Sequence, residues 1–205
     1  MLDVATGMRL CLLGDSIAAG VGSTRREDTL GPLLATRLRA AGHHVDLRVH
    51  AVAGARSADL RSQVRAAVAG GIDIAVVVIG ANDLTRFVPA QVGAQQLHDA
   101  VADLRAAGAE VVVATAPDLS IVSHVPPALR DVVSAVSRDY ANVQQQAVIR
   151  AGGVVAHVER VVTPRFASDP SLFAADRFHP SAAGYREIAT ALAPAVESVA
   201  ARRSA

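Results

Sequence analysis

Ser16, Asn82, Asp176 and His179 are side chains whose types and placement suit joint chemistry. Ser16 ends the run Met8-Arg9-Leu10-Cys11-Leu12-Leu13-Gly14-Asp15-Ser16, an apolar stretch that stops at a glycine and then offers a hydroxyl. Asp176 and His179 stand three residues apart, so the carboxylate can meet one imidazole nitrogen while the other faces outward. Pro180 turns the backbone there and favours the start of a helix. These are the parts of acyl transfer: Ser16 as nucleophile, His179 as general base, and Asp176 to fix the tautomer and stabilise the imidazolium. The developing oxyanion would take the backbone N–H groups of Ser16 and Gly54 and the side-chain amide of Asn82.

Such residues converge only if the elements between them place them at one edge. Leu10 to Leu13 reads as a buried strand of a parallel sheet. Residues 45–52 alternate and read as a second strand, and the β-branched run 72–79 as a third, ending in Gly80-Ala81-Asn82-Asp83. Residues 111–114 and 154–158 supply the fourth and fifth. Between them, helical spacing appears over residues 32–41, over a helix capped by Ser57 with Leu60, Val64, Ala67 and Val68 on one face, and over 89–107 with Val92, Leu97, Val101 and Leu104 inward. A long helix runs to Ala151, and a last one covers residues 181–201. Residues 17–23, 119–127 and the Pro164–Pro170 region read as loops. Strand and helix alternating five times predicts an α/β fold, a parallel sheet with helices on both faces. All strand ends then share one edge, where open α/β folds keep their ligands.

The 205 residues carry no linker-like or repeated stretch, so a single domain over 1–205 is expected. Hydrophobic residues make up 51%, largely Ala, Val and Leu, which implies an aliphatic core. With no Trp, two Tyr and four Phe, and a formal charge of +1, neither a base-stacking surface nor an electrostatic footprint for nucleic acid is expected. All 20 basic residues are arginine, which excludes Schiff-base chemistry, a Walker lysine and a Ser-Lys dyad. Cys11 is the one cysteine, so intrachain disulfides and cysteine-built metal sites are excluded. The N-terminus lacks the basic region of a signal peptide, and no apolar run approaches the ~20 residues of a membrane span. A soluble, cytoplasmic protein is expected, and the sequence leaves its oligomeric state open.

Gly14-Asp15-Ser16, Gly54, Gly80-x-Asn82-Asp83 and Asp176-x-x-His179-Pro180, in that order, resemble the four sequence blocks of the SGNH (GDSL-type) hydrolase family. The resemblance spans residues 14 to 180. It departs at the second block, where Ala53 precedes the glycine and the family often carries a polar residue. It implies a three-layer α/β/α sandwich around a five-stranded parallel sheet of flavodoxin-like order. It also implies an esterase, lipase, thioesterase or carbohydrate deacetylase, and no cofactor or metal is expected.

Each feature also has a plainer reading. Asn82-Asp83 suits an ordinary turn, and Asp15 and Asp83 suit the bracing of their own loops. His43, His44, His50, His98 and His157 show no metal-ligand spacing with a carboxylate partner. Gly20-Val21-Gly22 is only part of a dinucleotide fingerprint, and the Gly-x-Ser-x-Gly elbow is absent. The apolar segments 84–89 and 119–127 are expected to wall the pocket, with Phe87, Ile121 and His124 as substrate contacts. The function expected is hydrolysis of a small acyl ester or thioester, lysophospholipase-like or short-chain. The alternatives are a carbohydrate O-acetyl esterase and, in another class, a catalytically silent binding module.

Overall fold

The computed structural model describes residues 7–204. The leaderless N-terminus read from the sequence falls on residues 1–6, outside the described residues. Five strands, β1 (Met8–Gly14), β2 (Val45–Val49), β3 (Ile74–Val78), β4 (Glu110–Ala114) and β5 (Val154–Val155), form one sheet in the order β2-β1-β3-β4-β5. Every pairing is parallel, with Leu12 opposite Val49 on one side and Val76 on the other. Helices join the strands: α1 (Ser16–Ala19), α2 (Leu30–Ala40), α3 (Leu60–Ala69), α4 (Ala81–Thr85), α5 (Ala90–Ala106), α6 (Arg130–Arg150), α7 (Glu159–Ser168) and α8 (Ala182–Ser204).

Alternation along each strand divides the core in two. Leu10, Leu12, Ile74, Val76 and Val78 pack with Leu34 and Leu38 of α2 and Tyr185, Leu192 and Val196 of α8. Cys11, Leu13, Ala75 and Val77 pack on the other face with Leu60 and Val64 of α3 and Leu97, Val101 and Leu104 of α5. Each fully buried Leu or Val contributes about 1.5–3 kcal/mol relative to exposure, so a one-residue slip of β1 would be costly. Burial also raises the Cys11 thiol to about 11, which leaves it un-ionised and unreactive at neutral pH.

The chain reverses direction across the sheet between β1 and β3: β2 lies on one side of β1, and β3, β4 and β5 follow on the other. A crevice opens at such a switch point, outside the carboxyl ends of the strands. The glycines that end β1 and precede α4 are there for close approach. Gly14 has φ +127°, and a Cβ on it would lie 1.8 Å from the Val78 carbonyl oxygen. Gly80 has φ +131°, and its Cβ would meet Ala116 at 2.6 Å.

Several sequence expectations are corrected. The Pro164 region is helical as α7: Val162 and Phe166 turn inward while Pro164 stays exposed, and packing of that stripe outweighs the one backbone bond a proline removes. Residues 16–19 and 81–85, read as loops, are the short helices α1 and α4. β5 ends at Val155 and β2 at Val49, both earlier than expected. Val92 is exposed because Gly93 and Ala94 face inward; a Cβ on Gly93 would lie 1.9 Å from the Tyr140 hydroxyl. Val68 is exposed one step past Ala67.

Candidate active site

The nucleophile candidate owes its position to a strand that stops and a helix that starts within two residues. Gly14 ends β1, Asp15 caps α1 by accepting from the Ile17 amide at 3.0 Å, and Ser16 is the first helical residue. The Ser16 N–H belongs to the first turn, where no intrahelical carbonyl reaches it. The turn is pinned on both sides: Asp15 N–H donates to Val78 O at 3.1 Å, and Val52 N–H to Gly14 O at 3.1 Å.

His179 arrives from the far end of the chain, 163 residues away, with its Nε2 3.0 Å from Ser16 Oγ. Its Nδ1 lies 2.6 Å from Asp176 Oδ2. The other oxygen of Asp176 accepts the amides of Phe178 and His179, each at 3.0 Å, which closes a tight turn. Those bonds and the imidazole contact hold the carboxyl down at about 2, chiefly through His179, although its side chain is 47% exposed. Asp176 is therefore ionised at neutral pH and must accept, so Nδ1 carries the ring proton and Nε2 is free to accept from the Ser16 hydroxyl. Two contacts fix the imidazole from behind. Phe178 stacks edge-on at 5.0 Å, and Gly22, at φ +99°, lets the following loop lie against the His179 Cβ. Tyr185 of α8 ties that same loop down by donating to Val21 O at 2.7 Å.

Asn82 stands at the start of α4, after β3, and its Nδ2 donates to Ala55 O at 3.0 Å. One amide hydrogen is thereby used to fix the loop after β2, and the second is left to serve another acceptor. Gly54 lies in that loop at φ +82°, in a turn closed by Ala55 N–H to Val52 O at 3.1 Å. Asp83, fully buried, accepts from both the amide and hydroxyl of Ser57 at 3.0–3.1 Å. Ser57 thus serves as a loop clamp where a helix cap was expected. Burial pushes the Asp83 carboxyl upward, with the Ser57 bonds opposing. Asn82 and Asp83 together staple the exit of β2 to the exit of β3.

A cavity of about 110 Å³ opens beside Ser16 and His179, walled by Ile17, Ile121, Val162, Phe166, Phe173 and Phe178. Ile121 lines it as expected; Phe87 and His124 do not. Phe87, at φ +55°, is 92% exposed on the turn after α4, and His124 is exposed beyond the 119–122 segment. Of the two expected walls, only the segment after β4 contributes, and α7 replaces the segment after β3. Sequence reasoning missed α7, although Val158, Val162 and Phe166 recur every four residues. It also missed Gln63, whose amide clasps Gly14 through N–H to Oε1 at 2.7 Å and Nε2 to O at 2.9 Å. A lone amide among Leu60, Val64 and Ala67 was the available signal. Among the described residues, no three His, Cys, Asp or Glu side chains gather as a metal site.

Fold and geometry define a class: an α/β protein of flavodoxin-like strand order with a serine, a histidine and an aspartate joined at the carboxyl edge. The model of the GDSL-like lipase/acylhydrolase family matches residues 12–187, and the chain belongs to that family. A GDSL-like esterase of Mycobacterium tuberculosis is 38% identical over 187 residues, 89% of this chain. The chain spans 60% of the length of that relative. Among solved structures, an acetylxylan esterase of Geobacillus stearothermophilus superposes with TM-score 0.74 at 19% identity, covering 93% of this chain and 94% of the other. A psychrotrophic esterase of Pseudoalteromonas superposes with TM-score 0.71 at 18% identity, covering 93% and 97%. At these identities the likeness speaks for the fold.

Proposed function

We propose that the protein hydrolyses short-chain carboxylic esters or thioesters through an acyl-enzyme on Ser16. The observation that carries this reading is the contact chain Ser16 Oγ to His179 Nε2 at 3.0 Å and His179 Nδ1 to Asp176 at 2.6 Å. Ser16 Oγ attacks the acyl carbon while its proton passes to Nε2, and Asp176 stabilises the imidazolium that forms. The oxyanion faces the Ser16 and Gly54 amides and the second Asn82 amide hydrogen. Collapse returns the proton from Nε2 to the departing alcohol or thiol. Water, deprotonated by the same nitrogen, then releases the acid. The family membership supports an ester substrate, and the curated relative is named an esterase.

The cavity favours the short-chain form over a lysophospholipase-like one. Its volume of about 110 Å³ lies well below the ~300 Å³ at which sites for drug-sized ligands begin.

The reading is tested with p-nitrophenyl esters from two to sixteen carbons, an acyl-CoA, an acetylated xylose and a fluorophosphonate probe. Labelling should depend on Ser16, and kcat/KM should peak at the shortest acyl groups. Ser16→Ala should lower kcat by about 10⁴–10⁶, and Asn82→Ala by about 10²–10³ with little change in KM, since its amide meets charge only in the transition state. Hydrolysis that survives Ser16→Ala would refute the nucleophile. Unchanged kcat in a folded Asn82→Ala would refute that donor alone.

A further inference from the structure

Adjoining the acyl cavity is a second depression of about 750 Å³, and three of its lining residues, Ile121, Phe166 and Phe173, line the cavity too. Its polar side chains are Ser120, Ser123, Arg130 and Arg177, and no carboxylate lines it. Several other guanidiniums pair with nearby acids, as in Arg9 with Asp73, Arg105 with Glu110 and Arg165 with Glu187, whereas this groove brings two arginines together with no acid among its lining. Neither Arg130 nor Arg177 has an ion-pair or hydrogen-bond partner for its side chain among the described residues.

Arg177 sits between Asp176 and Phe178 at φ +55°, in the left-handed region that side chains other than Gly, Asn and Asp rarely occupy. The turn holds it there: its N–H donates to Ala174 O at 2.9 Å, and Asp176 accepts the next two amides. Glycine would meet the backbone need without strain. An arginine held in this strained conformation instead lines the groove from within the Asp176–His179 turn, and strain of this kind gathers at functional sites. Arg130 supplies the second cation from the start of α6.

Resting on the ester-hydrolase reading, we propose that Arg130 and Arg177 bind an anionic group, carboxylate or phosphate, carried by the substrate. Two uncompensated guanidiniums, two hydroxyls and no acid make the groove selective for negative charge, and the fork of donors on arginine suits both oxyanions. The anion belongs either to the far end of a short dicarboxylic acyl group or to the alcohol part.

Matched pairs separate the two sources. On the acyl side, the 4-nitrophenyl monoester of glutaric acid is compared with that of its monoamide. On the alcohol side, the acetyl ester of 3-hydroxypropyl phosphate is compared with that of 1,3-propanediol. In one pair the anionic member should have the higher kcat/KM at low salt. The preference should fall about fivefold for each of Arg130→Gln and Arg177→Gln, the scale of one exposed charge pair, and should shrink as salt is added. A preference for the neutral member in both pairs, or one that survives both substitutions, overturns the anion site. If even the neutral members are not hydrolysed in a Ser16-dependent way, the ester-hydrolase reading itself fails.

Discussion

Asp15 carries a carboxyl that is almost wholly out of contact with water, one residue before the nucleophile candidate. Burial, with the negative charge of Asp83 adding to it, pushes that carboxyl up to about 7 despite the Ile17 amide it accepts. An unfolded Asp titrates near ~3.9. Between pH ~4 and ~7 the unfolded chain therefore releases a proton that the folded chain keeps, and stability falls as pH rises through that window, then levels. Asp15→Asn keeps an acceptor for the cap and removes the ionisation. Relative to wild type, the variant should gain stability from pH 4 to pH 8, by on the order of a few kcal/mol. Thermal melts across that range check this, and a difference that does not change with pH would refute it. The meeting of Ser16, Asp176 and His179 was legible because chain signals point to it: a strand ending in glycine before the serine, and a carboxylate three residues before the histidine. Phe87 and His124 had only their apolar or aromatic character to recommend them. Nothing in a sequence says which way a turn residue at φ +55° will point.

At the scale of elements, Gln63 shows how the Gly14–Ser16 turn is held. Beyond the last β1–β2 pair, Leu12 opposite Val49, the Gly14 N–H is met by Gln63 Oε1 on α3, while Gly14 O accepts both the Val52 N–H and the Gln63 amide. Gln63→Leu fits the apolar face of α3 but strands the buried Gly14 N–H, at a cost of about 1–3 kcal/mol. Its melting temperature should fall by about 2–4 °C per kcal/mol for a chain of this size, and an unchanged value would refute the clasp. Helices with unbroken stripes, α2 and α5, could be read to within a residue or two. α7 could not, because Pro164 reads locally as a breaker and only contact with α8 and the wall of the cavity reveals the stripe. The Arg165–Glu187 pair joins the two helices, and no spacing rule links residues 22 apart.

Across the whole molecule, chemistry and anchoring occupy opposite edges of the sheet. At the amino edge Asp73 receives two side-chain bonds from Arg9 of β1, both at 2.9 Å, and one from Arg203 of α8 at 2.6 Å. Those partners hold its carboxyl far below the usual carboxylate range. The first strand and last helix are thus fastened where β3 begins, away from the turn that carries Ser16. The parallel sheet with helices on both faces was legible from strand-helix alternation, while its order, β2-β1-β3-β4-β5, was expected only from the family resemblance. Both cavities depend on side-chain packing between distant segments, which alternation does not encode.

The partition between those cavities has a consequence for how this protein could change its diet. Phe173 meets Phe166 edge-on at 4.9 Å, and both rings belong to the two compartments at once. Phe173→Ala should widen the opening between the small chamber and the larger one. Octanoyl esters, poor substrates before, should then rise relative to acetyl esters while the Ser16–His179 contact stays intact. If the ratio of octanoyl to acetyl kcat/KM did not move in a folded variant, the ring would not be the barrier. If that ratio does move, one ring's thickness sets the acyl length this cavity takes, and a lineage could cross from short acids to long ones by a single codon while the Ser16–His179 contact stays as it is.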